Sequence, residues 1–181
     1  GQALPQDKTD ALMSWSQRSP RSGYGGWIGT QLPAEARATM HHKAGWIPGV
    51  ARLGIPPLRM TDGPAGIRLR HVETAMPAPV GLAATFDTAA ARRYGATVGR
   101  AGRATNQDVW LGPMVNQVNF PTGGRNFETL GEDPYLAGQL AAQEVTGVQS
   151  EGLIAELKHY AENDFENAMG VHLWGPLYAM L

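Results

Sequence analysis

The chain has 181 residues, and its 15 Lys and Arg against 16 Asp and Glu leave a net charge of −1, which gives no electrostatic ground for binding nucleic acid or a membrane surface. Charged residues make up 17% and hydrophobic residues 43%, a balance that excludes disorder, while 23 Gly and 13 Pro predict many loops. Cysteine is absent, which removes disulfides, thiolate nucleophiles and Cys-ligated metals together.

No apolar run is long enough to span a bilayer, no signal-peptide pattern opens the chain, and no repeat or linker divides it. The expectation is one soluble unit over residues 1–181. Residues 7–18 place Leu12, Met13 and Trp15 among polar positions, with acids early and Arg18 late, and predict a helix. Four glycines around Tyr24 and Trp27 predict a loop over 21–30. A second helix is expected to open at Pro33 and stop at Gly45 in a left-handed cap.

From Ile55 the rhythm changes, and short apolar runs end in polar residues and lead into helical patterns. Residues 57–62 form the first run, after which Gly63-Pro64-Ala65-Gly66 requires a turn. Asp87 caps an Ala-rich helix reaching about Arg103. Residues 108–115 read as a strand interrupted at Gly112-Pro113. Asp133-Pro134 opens a helix with Ala141, Val145 and Val148 at i, i+4 and i+7, and Gly152 closes it. Residues 153–157 read as a strand ending at Lys158-His159. Such alternation predicts an α/β fold with a parallel sheet, because each return to a parallel neighbour needs a crossover.

Polar groups gather just after these strands, where parallel α/β folds carry their functional face. Asp62 follows the first strand, with capping of the Gly63-Pro64 turn as its plain structural alternative. Lys158 and His159 follow the last, with a solvated strand end as theirs. Gly123-Gly124 lets backbone approach a ligand, and Arg125 offers a planar fork for two hydroxyls or a carboxylate, unless an internal ion pair with Glu128 or Glu132 uses it. A phosphate cradle at these glycines is a rival reading, although the spacing is neither the P-loop nor the dinucleotide pattern. Trp27 or Trp110 could stack on a sugar ring, although a tryptophan on an apolar run is more often core. Adjacent His41 and His42 point about 100° apart on a helix, so they make no metal site, and no cofactor is expected.

Four blocks in order carry a resemblance: Arg52-Leu53-Gly54-Ile55-Pro56-Pro57-Leu58; Thr61-Asp62-Gly63-Pro64-Ala65-Gly66-Ile67-Arg68; Gly123-Gly124-Arg125-Asn126-Phe127-Glu128 with Gly131-Glu132-Asp133-Pro134-Tyr135; and Leu157-Lys158-His159-Tyr160. Together they resemble glycoside hydrolase family 3. The resemblance implies the N-terminal portion of a (β/α)8 TIM-type barrel. It also implies that Asp62, Arg68, Arg125, Lys158 and His159 hold the hydroxyls of a terminal sugar. The Pro-Gly-His-Gly type loop of the N-acetylglucosaminidase branch is missing after Lys158-His159, so the resemblance points to the β-glucosidase branch, whose members are exo-acting and retaining and are favoured to be secreted or periplasmic. The implied substrate is a β-glucoside or oligosaccharide.

A retaining enzyme needs a nucleophilic Asp and a separate acid/base, and neither is identifiable here. The family places its nucleophile in a Ser-Asp-Trp type block well beyond the Lys-His pair, and residues 168–181 form an apolar tail that diverges from the family. A partial barrel exposes a strand edge and an apolar face, so the remainder of the barrel, or another chain, is the expected partner. The alternative is a non-catalytic sugar-binding or assembly module derived from the same barrel.

Overall fold

The computed structural model describes residues 44–47, 49–69, 73–159 and 163–164. The helix expected at 7–18, the loop at 21–30, most of the helix expected from Pro33, His41-His42 and the 168–181 tail lie outside the described residues. The elements are β1 (Gly45–Ile47), β2 (Leu58–Asp62), α1 (Pro79–Ala83), α2 (Thr88–Ala104), β3 (Val109–Met114), α3 (Pro134–Ser150) and β4 (Ile154–Lys158), with 3-10 turns at Ala51–Leu53 and Asn126–Glu128.

The four strands form one sheet in the order β1-β2-β3-β4. Strands β2, β3 and β4 are parallel, and β1 is antiparallel to β2. The parallel strands follow chain order without reversal, and helices fill both crossovers. A doubly wound sheet reverses its order at a switch point, whereas a barrel adds each strand beside the last, so this topology is the barrel type.

Local chemistry sets the ends of the long helices. Asp87 Oδ1 accepts from Ala89 N–H at 2.8 Å and opens α2. Asp133 Oδ1 accepts from Tyr135 N–H at 2.9 Å, with Pro134 in the first helical turn of α3. Gly152 follows α3 at φ 80°, where a side chain is unfavourable.

Helices α2 and α3 pack backbone to backbone. A Cβ on Gly95 would lie 2.0 Å from the Glu144 carbonyl oxygen, and one on Gly147 would lie 2.2 Å from the Arg92 carbonyl oxygen. Val98, Trp110, Leu130, Leu140, Val148 and Leu153 form the centre of the core beneath them. The Glu144 carboxylate is buried in this layer, and neither of its oxygens has a hydrogen-bond partner.

Two expectations are corrected. Gly45 is a strand residue opposite Met60 and not a left-handed helix cap. Strand β3 runs through Gly112-Pro113 instead of breaking there, because a bulge places Leu111 and Gly112 both opposite Glu156 and absorbs the irregularity. Trp110 is fully buried, the core position favoured for it over a stacking role. Among the described residues strand β4 is the last of the sheet, and Ile154 and Leu157, on opposite faces of it, are each about half exposed.

Candidate functional site

Because β2, β3 and β4 are parallel, their carboxyl ends share one edge, and that edge carries the polar groups. Asp62 is the last residue of β2 and Lys158 the last of β4. Lys158 Nζ donates to Asp62 Oδ1, and Gly63 N–H donates to the same oxygen at 2.9 Å. Asp62 therefore caps its turn and binds a cation at once. Lys158 is held by Asp62 and is not a solvated strand end. Burial pushes the Asp62 carboxyl up, but the hydrogen bond and charge of Lys158, the Gly63 N–H and the charge of Arg125 outweigh it and keep the pKa below the ordinary 3.8.

Arg125 precedes the 3-10 turn Asn126–Glu128 in the loop after β3. Its Nε and Nη2 donate to the two Glu128 carboxylate oxygens at 2.9 and 2.7 Å, a bidentate pair, and Nη1 faces His159 Nε2 at 3.4 Å. Nε and Nη2 are thus used by the internal ion pair with Glu128, the structural alternative for Arg125. His159 N–H donates to Asn116 Oδ1 at 2.8 Å, and the ring Nδ1 lies 3.1 Å from the same oxygen. Burial, then the charges of Arg125 and Lys158, lower the His159 pKa to about 4, so the ring is neutral at neutral pH.

Asp62, Arg125, Lys158 and His159, up to 97 positions apart in the chain, are thus joined by the Lys158–Asp62 and Arg125–His159 contacts across the adjacent pair Lys158-His159, with Glu128 holding Arg125 and Asn116 holding His159. Arg68 joins by its backbone, donating from N–H to the Asp62 carbonyl at 3.0 Å, and its exposed side chain lines a cavity of about 320 Å³. Asp62, Glu73, Phe127 and Glu128 also line that cavity. The half-exposed Phe127 ring is the aromatic surface there, in place of Trp110.

Sequence reading missed Asn116 as a site residue, and gave Glu128 only as a possible partner of Arg125. The rule that selected Asp62 and Lys158 would have found Asn116, which lies two residues past the end of β3. Phe127 stood inside a quoted motif but had no periodicity to separate it from core aromatics.

A ring of carboxylate, ammonium, guanidinium and neutral imidazole offers donors and acceptors on several sides of a polyol, which is the chemistry of sugar recognition. Residues 35–173 match the glycosyl hydrolase family 3 N-terminal domain. The chain is 44% identical to beta-glucosidase BoGH3A of Bacteroides ovatus over 132 residues, 66% of this chain and 18% of that protein. It is 40% identical to thermostable beta-glucosidase B of Acetivibrio thermocellus over 149 residues, 71% of this chain and 20% of that protein. Among solved structures, DesR, a beta-glucosidase from Streptomyces venezuelae in complex with D-glucose, superposes with a TM-score of 0.68 at 51% identity, covering 70% of this chain and 16% of DesR. Beta-glucosidase 3B from Thermotoga neapolitana in complex with glucose superposes with a TM-score of 0.66 at 36% identity, covering 69% of this chain and 19% of that one. The chain spans about a fifth of the length of the curated relatives it matches. Barrel-type strand order, the polar edge and a family match over most of the sequence agree, and the chain belongs to glycosyl hydrolase family 3 as part of its N-terminal domain.

Proposed function

We propose that this chain forms the sugar-holding part of a β-glucosidase-type glycoside hydrolase acting on terminal β-D-glucosyl residues. The observation that carries the reading is the convergence of Asp62, Arg125, Lys158 and His159 on one sheet edge, beside a cavity bordered by Arg68 and Phe127. In this reading Asp62 accepts from hydroxyls, Lys158 and Arg125 donate to them, Arg68 closes one side, and Phe127 meets an apolar face of the ring.

Retaining hydrolysis requires two carboxyl groups about 5–5.5 Å apart, one attacking and one protonating the leaving oxygen. Asp62 and Glu128 are each bound to a cation and are suited to holding substrate. The nucleophile and acid/base therefore come from outside this cluster, and the exposed β4 edge is where the rest of the barrel, or another chain, docks.

Calorimetric titration with glucose tests the reading, and Asp62→Ala should abolish the heat. Equal heats in the two proteins would refute it. The engagement of both carboxylates also fits a non-catalytic sugar-binding module. Adding the downstream barrel segment separates the two, since a hydrolase then gains activity on a chromogenic β-glucoside and a binding module does not.

A further inference from the structure

We propose that Asn116 is a positioning residue for the candidate site: its side-chain oxygen fixes His159 in the tautomer protonated at Nδ1 and leaves Nε2 as a hydrogen-bond acceptor. The use of that acceptor toward a sugar rests on the glucoside reading above.

The assignment follows from two groups that can only donate. The first is the His159 backbone N–H, 2.8 Å from Asn116. An N–H needs an acceptor, so the Asn116 oxygen, and not its NH2, must face it, which settles the amide orientation by chemistry. The His159 Nδ1 lies 3.1 Å from that same oxygen. Two lone pairs at this distance would repel, so Nδ1 carries the proton. The second donor is the Arg125 guanidinium, whose Nη1 faces Nε2 at 3.4 Å. Guanidinium has no acceptor, so Nε2 must present its lone pair. Both ends of the ring select the same tautomer.

The Asn116 amide shows what it is kept for. The residue is 4% exposed, and its Nδ2 has no hydrogen-bond partner, an unfavourable state for a buried donor. A buried amide with an idle NH2 and a doubly used oxygen is suited to its acceptor role. The charged groups acting on the ring are Arg125 and Lys158, which oppose a positive imidazole, and Asp62 and Glu128, which favour it. The ring therefore serves as a neutral acceptor among cations. A hydroxyl that accepts from ammonium or guanidinium must send its own proton elsewhere, and Nε2 supplies a destination besides Asp62 when the hydroxyl replaces the 3.4 Å contact from Arg125 Nη1.

The test is 15N NMR of the full chain labelled at its five histidines, with His159→Gln to assign the signal. The expected spectrum has His159 protonated at Nδ1 and bare at Nε2. Asn116→Asp should keep that tautomer and raise the His159 titration point by about one to three units, because a carboxylate now faces Nδ1–H. Asn116→Leu should weaken the tautomer preference, which the Arg125 guanidinium alone then maintains, and weaken glucose binding by about tenfold, the worth of one lost hydrogen bond. A ring protonated at Nε2 in the unmodified chain overturns the proposal, as does an unshifted titration in Asn116→Asp; both hold even if Asn116→Leu fails to fold. The tautomer is read without sugar. An Nδ1–H ring in a chain that gives no heat with glucose supports the Asn116 assignment and refutes the glucoside reading.

Discussion

Replacing Glu144 by Gln tests whether the buried carboxylate between α2 and α3 burdens the fold as a titrating group. Its burial raises the pKa from 4.5 to about 8, and neither oxygen is hydrogen-bonded. Between those values the native state holds a proton that the unfolded state has released, so stability falls as pH rises, by about 1.4 kcal/mol per unit. His159 acts in the opposite direction. Its pKa drops from 6.5 to about 4, so its contribution is full above pH 6.5 and is lost as pH falls toward 4. The two slopes cancel between pH 4.5 and 6.5, and Glu144 acts alone from 6.5 to 8, where the wild type should lose about 2 kcal/mol. Glu144→Gln should be flat in that upper window and should exceed the wild type by about 3 kcal/mol at pH 7. Urea unfolding at a series of pH values reads both curves. Parallel curves for the two proteins would show that the carboxylate is solvated or paired in solution, and the reasoning would fail.

Gly95→Ala should destabilise by about 2 kcal/mol or more, since its Cβ would meet the Glu144 carbonyl at 2.0 Å, a backbone atom that cannot rotate away. Gly138→Ala on the exposed face of α3, with nothing within 4 Å, should instead stabilise by about 0.5–1 kcal/mol, and thermal melts of the pair separate close packing from helix propensity. Arg125→Lys should weaken glucose binding in calorimetry despite keeping the charge, because an ammonium cannot span both Glu128 oxygens and face His159 as well; unchanged affinity would mean that the planar fork is irrelevant. Asp62→Ala should lower stability by about 1–3 kcal/mol by stranding the Lys158 ammonium, measured by urea unfolding, with Lys158→Met expected to recover part of the loss.

The parts of the fold legible in the sequence are those where a single residue type has one good reason to be present. Asp87, Asp133-Pro134 and Gly152 mark helix ends because unsatisfied N–H groups and a positive φ demand those residues. Strand β1 was illegible because Gly45, Trp46 and Ile47 are too few to show an alternation, and its pairing with β2 depends on a partner thirteen positions or so away. Gly112-Pro113 looked like a stop because proline cannot donate to a ladder, yet a bulge accommodates it. In the site, position after a strand identified Asp62, Lys158 and His159. Pairing did not follow from position, since Asn116 meets His159 where the β3–β4 ladder continues past both strands, and Glu128 meets Arg125 within one 3-10 turn.

The indole of Trp110 ties the polar edge of the sheet to the interior. Its ring lies against Gly112, where a Cβ would come within 2.5 Å of it, and its Nε1 donates to the Gly63 carbonyl at 2.9 Å, one residue past Asp62. The backbone that carries the Asp62 carboxylate is therefore anchored by a fully buried aromatic. Libraries that vary only cavity-lining residues would explore affinity within a preset geometry, whereas a change at Trp110 or Gly112 would move the reference point from which every hydroxyl contact is measured.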